Sequence, residues 1–117
     1  MKIKRHEMPN QDEHLRSVNF EEVALGYSAE TAKSEAERCL QCKDPKCVQG
    51  CPVNIDIPGF IGQIALGNMW EAMKVMKQTN TLPAICGRVC PQESQCEGQC
   101  VVGKKNEPVA IGNLERY

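Results

Sequence analysis

The sequence predicts an all-α domain of short helices joined by long, cysteine-bearing loops. Three observations carry that prediction. No segment alternates apolar and polar residues over a strand's length. Several windows repeat apolar residues at helical spacing between start and stop signals. All eight cysteines fall into two groups of four, Cys39, Cys42, Cys47, Cys51 and Cys86, Cys90, Cys96, Cys100, with none elsewhere.

Taken in order, residues 1–19 read as an extended or weakly ordered N-terminal arm, and residues 20–117 as the helical domain. Asn19–Gly26 is expected to form a short helix that Gly26 ends. Ser28 suits the N-cap of a helix over Ala29–Leu40, with Glu30 in its first turn, delivering Cys39 and Cys42 at its end. Pro58–Leu66 starts with a proline near the first helical position, carries Phe60, Ile61, Ile64 and Ala65 on one face, and stops at Gly67. Asn68 can cap Met69–Gln78, where Trp70, Met73 and Met76 recur at helical spacing, the methionines as core filler. Leu82–Val89 presents Cys86 and Cys90 four apart. A last helix begins around Pro108.

The cysteine spacing carries the chemistry. The first group runs x2, x4, x3 and is followed at once by Pro52. Bacterial two-cluster ferredoxins carry C-x2-C-x2-C-x3-C-P, with the fourth cysteine ligating the other cluster. The present run has that grammar with two residues added. A cubane has four irons, each needing an outer ligand, most often a thiolate, so eight cysteines suit two [4Fe–4S] clusters. Gly50, Gly87 and Gly98 stand beside these cysteines, where backbone would pass close to a bulky core. Two zinc sites would use the same thiolates, but zinc ribbons favour two C-x2-C pairs and one is present. A disulfide framework suits a secreted chain, whereas the start of this one is polar, without an apolar signal region.

Composition excludes several function classes. Fourteen Lys and Arg against fifteen Asp and Glu leave a net charge of −1, too balanced to suggest nucleic acid or an anionic membrane. No apolar run approaches the roughly 18 residues of a membrane span. Cytoplasmic placement follows. No dinucleotide fingerprint, Ser/His/Asp set or paired carboxylates appear, so no catalytic residue is assigned. His6 and His14 read as solvated, and Glu93, Glu97 and Glu107 as surface charge.

A family resemblance rests on Asn19-Phe20, Glu22-Val23 and Leu25-Gly26-Tyr27, then Arg38-Cys39 and Cys42. It continues through Gly50-Cys51-Pro52 to Pro58 and through Cys86-Gly87-Arg88-Val89-Cys90-Pro91. These resemble the N-terminal iron–sulfur domain of the NADPH-dependent glutamate synthase small-subunit family. The same domain type occurs in the large subunit of NADH-dependent reduced ferredoxin:NADP oxidoreductase and at the N-terminus of dihydropyrimidine dehydrogenase. The resemblance implies a fold of the α-helical ferredoxin type, excised from a longer flavoprotein that continues after Tyr117. It implies FAD and NADP(H) in those downstream domains and a partner oxidoreductase subunit. The implied role is relay of single electrons between flavin and an acceptor. A structural zinc module and a free-standing ferredoxin are the alternatives.

The resemblance also implies how the ligands divide, and the ferredoxin precedent agrees. Cys39, Cys42, Cys47 and Cys100 take cluster one; Cys51, Cys90 and Cys96 take cluster two. Cysteine counting gives the eighth place to Cys86. The related dihydropyrimidine dehydrogenase domain uses a glutamine near its C-terminal end, and the matching position here is Glu115.

Overall fold

Short-range capping sets where the helices run in the computed structural model, which describes residues 3–117. Met1 and Lys2 of the expected arm lie outside it. Asp12 accepts from the amides of His14 and Leu15 to start α1, Glu13–Arg16. Ser28 accepts from the Thr31 amide to start α2, Ala29–Ala36. After Ala36 the chain tightens into three-residue turns, Arg38 N–H to Glu35 O and Cys39 N–H to Ala36 O, so α2 stops four residues short of Leu40. Helix α3 spans Lys46–Gly50. Asp56 accepts from Gly59 N–H at 3.0 Å to begin α4, Ile57–Ala65, with Pro58 in its first turn.

Gly67 ends α4. Its φ of +80° lets its amide reach Ile64 O while the Asn68 amide reaches Gln63 O, the paired bonds of a Schellman cap. Helices α5, Met69–Lys77, α6, Pro83–Val89, and α7, Ile111–Arg116, follow. Between α6 and α7 lie three 3-10 turns, Gln92–Ser94, Glu97–Gln99 and Val101–Lys104. The fold is all-α: among the described residues the β pairing is one isolated antiparallel bridge, Asn10 to Ala24.

The core forms where α4 lies across α2 and α5 and α6 lies on α7. Phe60, Ile61 and Ile64 of α4 meet Ala32 and Ala36 of α2, whose small side chains let the helices approach. Ala72 and Met76 face in from α5, and Ile111 and Leu114 from α7. At Gly87 α6 and α7 meet closely, since a Cβ there would sit 2.6 Å from the Arg116 amide nitrogen. Gly50 and Gly98 are hemmed in likewise by the backbone of Gln95 and Glu93. These glycines are required by chain meeting chain, a more local reason than clearance for an inorganic core.

Further expectations need correction. Asn19–Gly26 is not helical. The Asn19 carboxamide bonds Gln11, Leu15 O and the Glu21 amide, and Gln11 N–H to Val23 O and Leu25 N–H to Pro9 O draw the segment against the arm. The arm, expected to be extended or weakly ordered, is held by these bonds at Pro9 and Gln11. His6 is not solvated: its amide and its Nδ1 both meet the Glu35 carboxylate at 2.8 Å. Trp70 is 67% exposed, because the buried edge of α5 runs through Ala72 and Met76, rotated away from it. His14 is exposed as expected.

Candidate metal centre

The tightened turn after α2 throws Cys39 and Cys42 toward the start of α3, which carries Cys47. Between them Gln41 adopts the left-handed region at φ +50°. Cys100, held between two 3-10 turns, completes the group. The four thiols line one small hollow whose other walls are largely aliphatic, among them Ile57, Ile61, Val109 and Ile111. Burial pushes the Cys47 thiol up to about 11, and the neighbouring thiols Cys100 and Cys39 push the same way. Burial likewise raises Cys39, against hydrogen bonds from Gln41 that favour its thiolate. Four thiolates in so apolar a place need a strongly cationic partner, as a metal core is.

The second set gathers around α6 and α7. Cys51 follows α3, Cys86 sits within α6, Cys90 ends it, and Cys96 is buried. Burial pushes Cys96 up to about 12, with Glu97, Cys51 and Glu115 adding to the rise. Cys90 is raised by burial and then by Cys86, Glu115 and Cys51. All four cysteines and Glu115 are therefore near neighbours. Glu115 is 8% exposed and accepts from Asn80 Nδ2 at 2.9 Å. Burial pushes its carboxyl up to about 7, offset in part by that hydrogen bond. The Cys86 thiol, in turn, donates to Asn80 Oδ1 at 3.7 Å, and the same oxygen accepts from Leu82 N–H. Both candidates for the eighth place thus face the set through one asparagine.

The eight cysteines are free thiols. Among the described residues no three His, Cys, Asp or Glu side chains draw together as one metal ion requires. A tetrahedral zinc, with Zn–S near 2.3 Å, would bring its sulfurs to about 3.8 Å from one another. The thiols of Cys39, Cys42, Cys47 and Cys100 instead line a hollow together.

What the sequence reading missed is the polar frame that sets these loops. Glu35 is fully buried and bonds Arg38 Nη1 at 2.6 Å, the Ala110 amide at 2.9 Å, and His6. Arg38, beside Cys39 and 2% exposed, also donates to Glu107 O, Pro108 O and Ile3 O. Glu97 is not surface charge: 7% exposed, it pairs with Arg5 at 2.8 Å and accepts from Gly112 N–H. Together they tie the arm, α2, the Cys96–Cys100 segment and α7. The available signal was Glu35 and Arg38 at i, i+3 beside Ala32 and Ala36, charges on the small-residue face of a helix.

Known proteins share much of this sequence. Residues 16–117 match the family described as dihydropyrimidine dehydrogenase domain II, 4Fe-4S cluster. The chain is 41% identical over 98% of its length to the glutamate synthase [NADPH] small chain of Escherichia coli K12, of which it spans 24%. It is 44% identical over 87% of its length to the putative oxidoreductase AegA of the same organism, 16% of that protein. A subunit of an NAD-dependent dihydropyrimidine dehydrogenase, PreT, is 36% identical over 84% of the chain and 24% of its own length. The chain thus corresponds to about a quarter or less of each of these relatives. Its two cysteine sets stand within the matched residues, and the chain belongs to the 4Fe–4S family of dihydropyrimidine dehydrogenase domain II, shared with the small chains of glutamate synthase.

Proposed function

We propose that the chain carries two [4Fe–4S] clusters and relays single electrons within a longer NAD(P)H-dependent flavoprotein. Cys39, Cys42, Cys47 and Cys100 hold the first; Cys51, Cys90 and Cys96, with Glu115 or Cys86, hold the second. When bound, such clusters take up and release one electron at a time, which lets a two-electron hydride donor feed one-electron acceptors. The protein's own part is to place the donors and keep water away. Each cysteine gives up its proton to become a ligand, and the aliphatic walls of the first hollow exclude solvent. Gln41 donates toward the Cys39 sulfur, which withdraws electron density from that ligand.

The crossed division interlocks the chain. Cys51 belongs to the second set although it lies in the first run, and Cys100 does the reverse. Residues 20–117 then form one unit behind the arm, followed in the parent protein by domains for FAD and NADP(H). Electrons pass between that flavin and an acceptor site on a partner subunit, in the cytoplasm, as in an enzyme of the glutamate synthase type. No helix among the described residues is long and apolar enough to cross a membrane.

The observation that supports this reading best is the first quartet: thiols from two distant segments around one aliphatic hollow, in a chain of a 4Fe–4S family. Anaerobic purification followed by iron and acid-labile sulfide assays tests it. About eight of each per chain are expected from two cubanes. Two zinc ions and no sulfide would replace it with a structural zinc module.

A further inference from the structure

The hollow ringed by Cys39, Cys42, Cys47 and Cys100 shares Leu40, Val101 and Val102 with a shallow concavity beside it, which Lys104, Lys105 and Asn106 complete. Leu40, directly after the first cysteine, is 59% exposed, and Lys46 stands on the rim of the hollow itself. The charge around this place is lopsided. The two loops carrying the quartet, residues 39–47 and 100–106, hold Lys43, Lys46, Lys104 and Lys105 against Asp44 alone, a charge of +3. The whole chain carries −1, so the remaining residues carry −4. Asp44 is tied to Lys46 at 2.7 Å; Lys104 and Lys105 are exposed and form no ion pair among the described residues.

An apolar patch above a redox site, bordered by unpaired cations, has the form of an electron-transfer contact. The patch gives a dry centre and the charges give orientation and speed of encounter. We infer that this face docks a redox partner protein through an acidic surface. Leu40 and Val101 lie at the centre of the contact, Lys46, Lys104 and Lys105 around it, and one electron crosses there between the partner's redox centre and the first quartet's cluster. The inference rests on the cluster reading above. One centre loses an electron and the other gains it; no bond forms or breaks. A net charge near zero conceals this polarity, because all the acidic residues but Asp44 lie outside these two loops.

Two measurements on the anaerobically reconstituted chain test the face. The first is fluorescence anisotropy of a labelled polyglutamate peptide, an acidic polypeptide probe, at low salt where screening extends to roughly 20 Å. Binding is expected, weakened about tenfold or more by Lys104→Glu with Lys105→Glu. The control pair Lys74→Glu and Lys77→Glu on α5 should change it less than twofold. The second is stopped-flow oxidation of the reduced protein by hexacyanoferrate(III), an anion, and by tris(phenanthroline)cobalt(III), a cation. The Lys104/Lys105 variant should slow the anion and speed the cation by about tenfold each, with the difference vanishing at high salt. Peptide binding that the variant leaves intact, or that the α5 control weakens equally, overturns the docking face. Peptide binding that behaves as expected with no reducible cluster at the quartet overturns the cluster reading alone.

Discussion

Replacing Glu35 by glutamine keeps the shape of the side chain and removes the charge on which its surroundings depend. Three residues donate to this carboxylate through four groups: the Arg38 guanidinium at 2.6 Å, the Ala110 amide at 2.9 Å, and the His6 backbone and ring at 2.8 Å. Glutamine turns an amide NH2 toward some of those donors and leaves a guanidinium that is 2% exposed without its counter-charge. Breaking a buried pair from one side costs about 3–5 kcal/mol. With an unfolding entropy near 2.1 cal/mol/K per residue, that lowers the thermal midpoint of a chain this size by about 12–20 °C. The assay is far-UV circular dichroism on preparations matched in iron content.

The effect also has a pH signature. Burial alone would raise the Glu35 carboxyl, but hydrogen bonds from Ala110, His6 and Arg38 outweigh it and hold it below its ordinary 4.5. A depressed folded pKa contributes stability that is complete above the unfolded value and is lost as pH falls through the folded one. The gap between wild type and Glu35→Gln should therefore narrow as pH falls below about 4.5. Comparing the two at each pH cancels the acid sensitivity of their shared thiolates. A midpoint shift under about 4 °C at pH 7, or a gap that stays constant in acid, would refute the reasoning.

Three other outcomes follow from the same geometry. Gly87→Ala puts a methyl 2.6 Å from the Arg116 amide nitrogen and should cost about 1–3 kcal/mol while loosening the second cysteine set, read as faster iron release to a chelator. Cys51→Ser should damage the second cluster more than the first in electron paramagnetic resonance, and Cys100→Ser the reverse; damage confined to each variant's own cysteine run would sink the crossed division. If Glu115 is the eighth ligand, Cys86→Ala leaves both clusters in place and Glu115→Ala shifts or removes one, and the opposite pattern returns the role to Cys86. A third variant, Asn80→Ala, removes the bond that each candidate makes to that side chain and should perturb the second cluster whichever of them is the ligand.

The helices legible in the sequence were those whose limits are set locally. Ser28, Pro58 and Gly67 fix their backbones locally, and the structure has those boundaries within a few residues. Asn19–Gly26 was misread because its rivals are long-range. Gln11 and Pro9 offer it partners that only the folded arm supplies, and a helical pattern of eight residues is too weak to compete. Trp70 was misread for another reason: with Met69, Met73 and Met76 nearby, the apolar stripe of α5 can be drawn through either edge. The tertiary contact with α4 selects the one that contains Ala72. Cysteine grouping was legible because ligand spacing is itself a local pattern.

The buried charges were the least legible, and they change what holds the site together. A thin aliphatic core suggests that inorganic clusters must supply most of the cohesion of such a chain. Yet Glu35, Arg38, Glu97 and Arg5 already connect the loops bearing Cys39, Cys96 and Cys100 to the arm and to α7 through protein bonds alone. Apart from Glu35 with Arg38, three residues apart, these partners lie far away in sequence, 69 residues for Arg38 and Glu107, so no short window of residues reveals the whole network. Burying such groups confers little net stability when they are fully paired, and a large penalty when any one is missing. The network therefore acts more as a specification of loop position than as a store of stability. It fixes the loops that carry Cys39, Cys96 and Cys100, and with them the hollow that the first four thiols line.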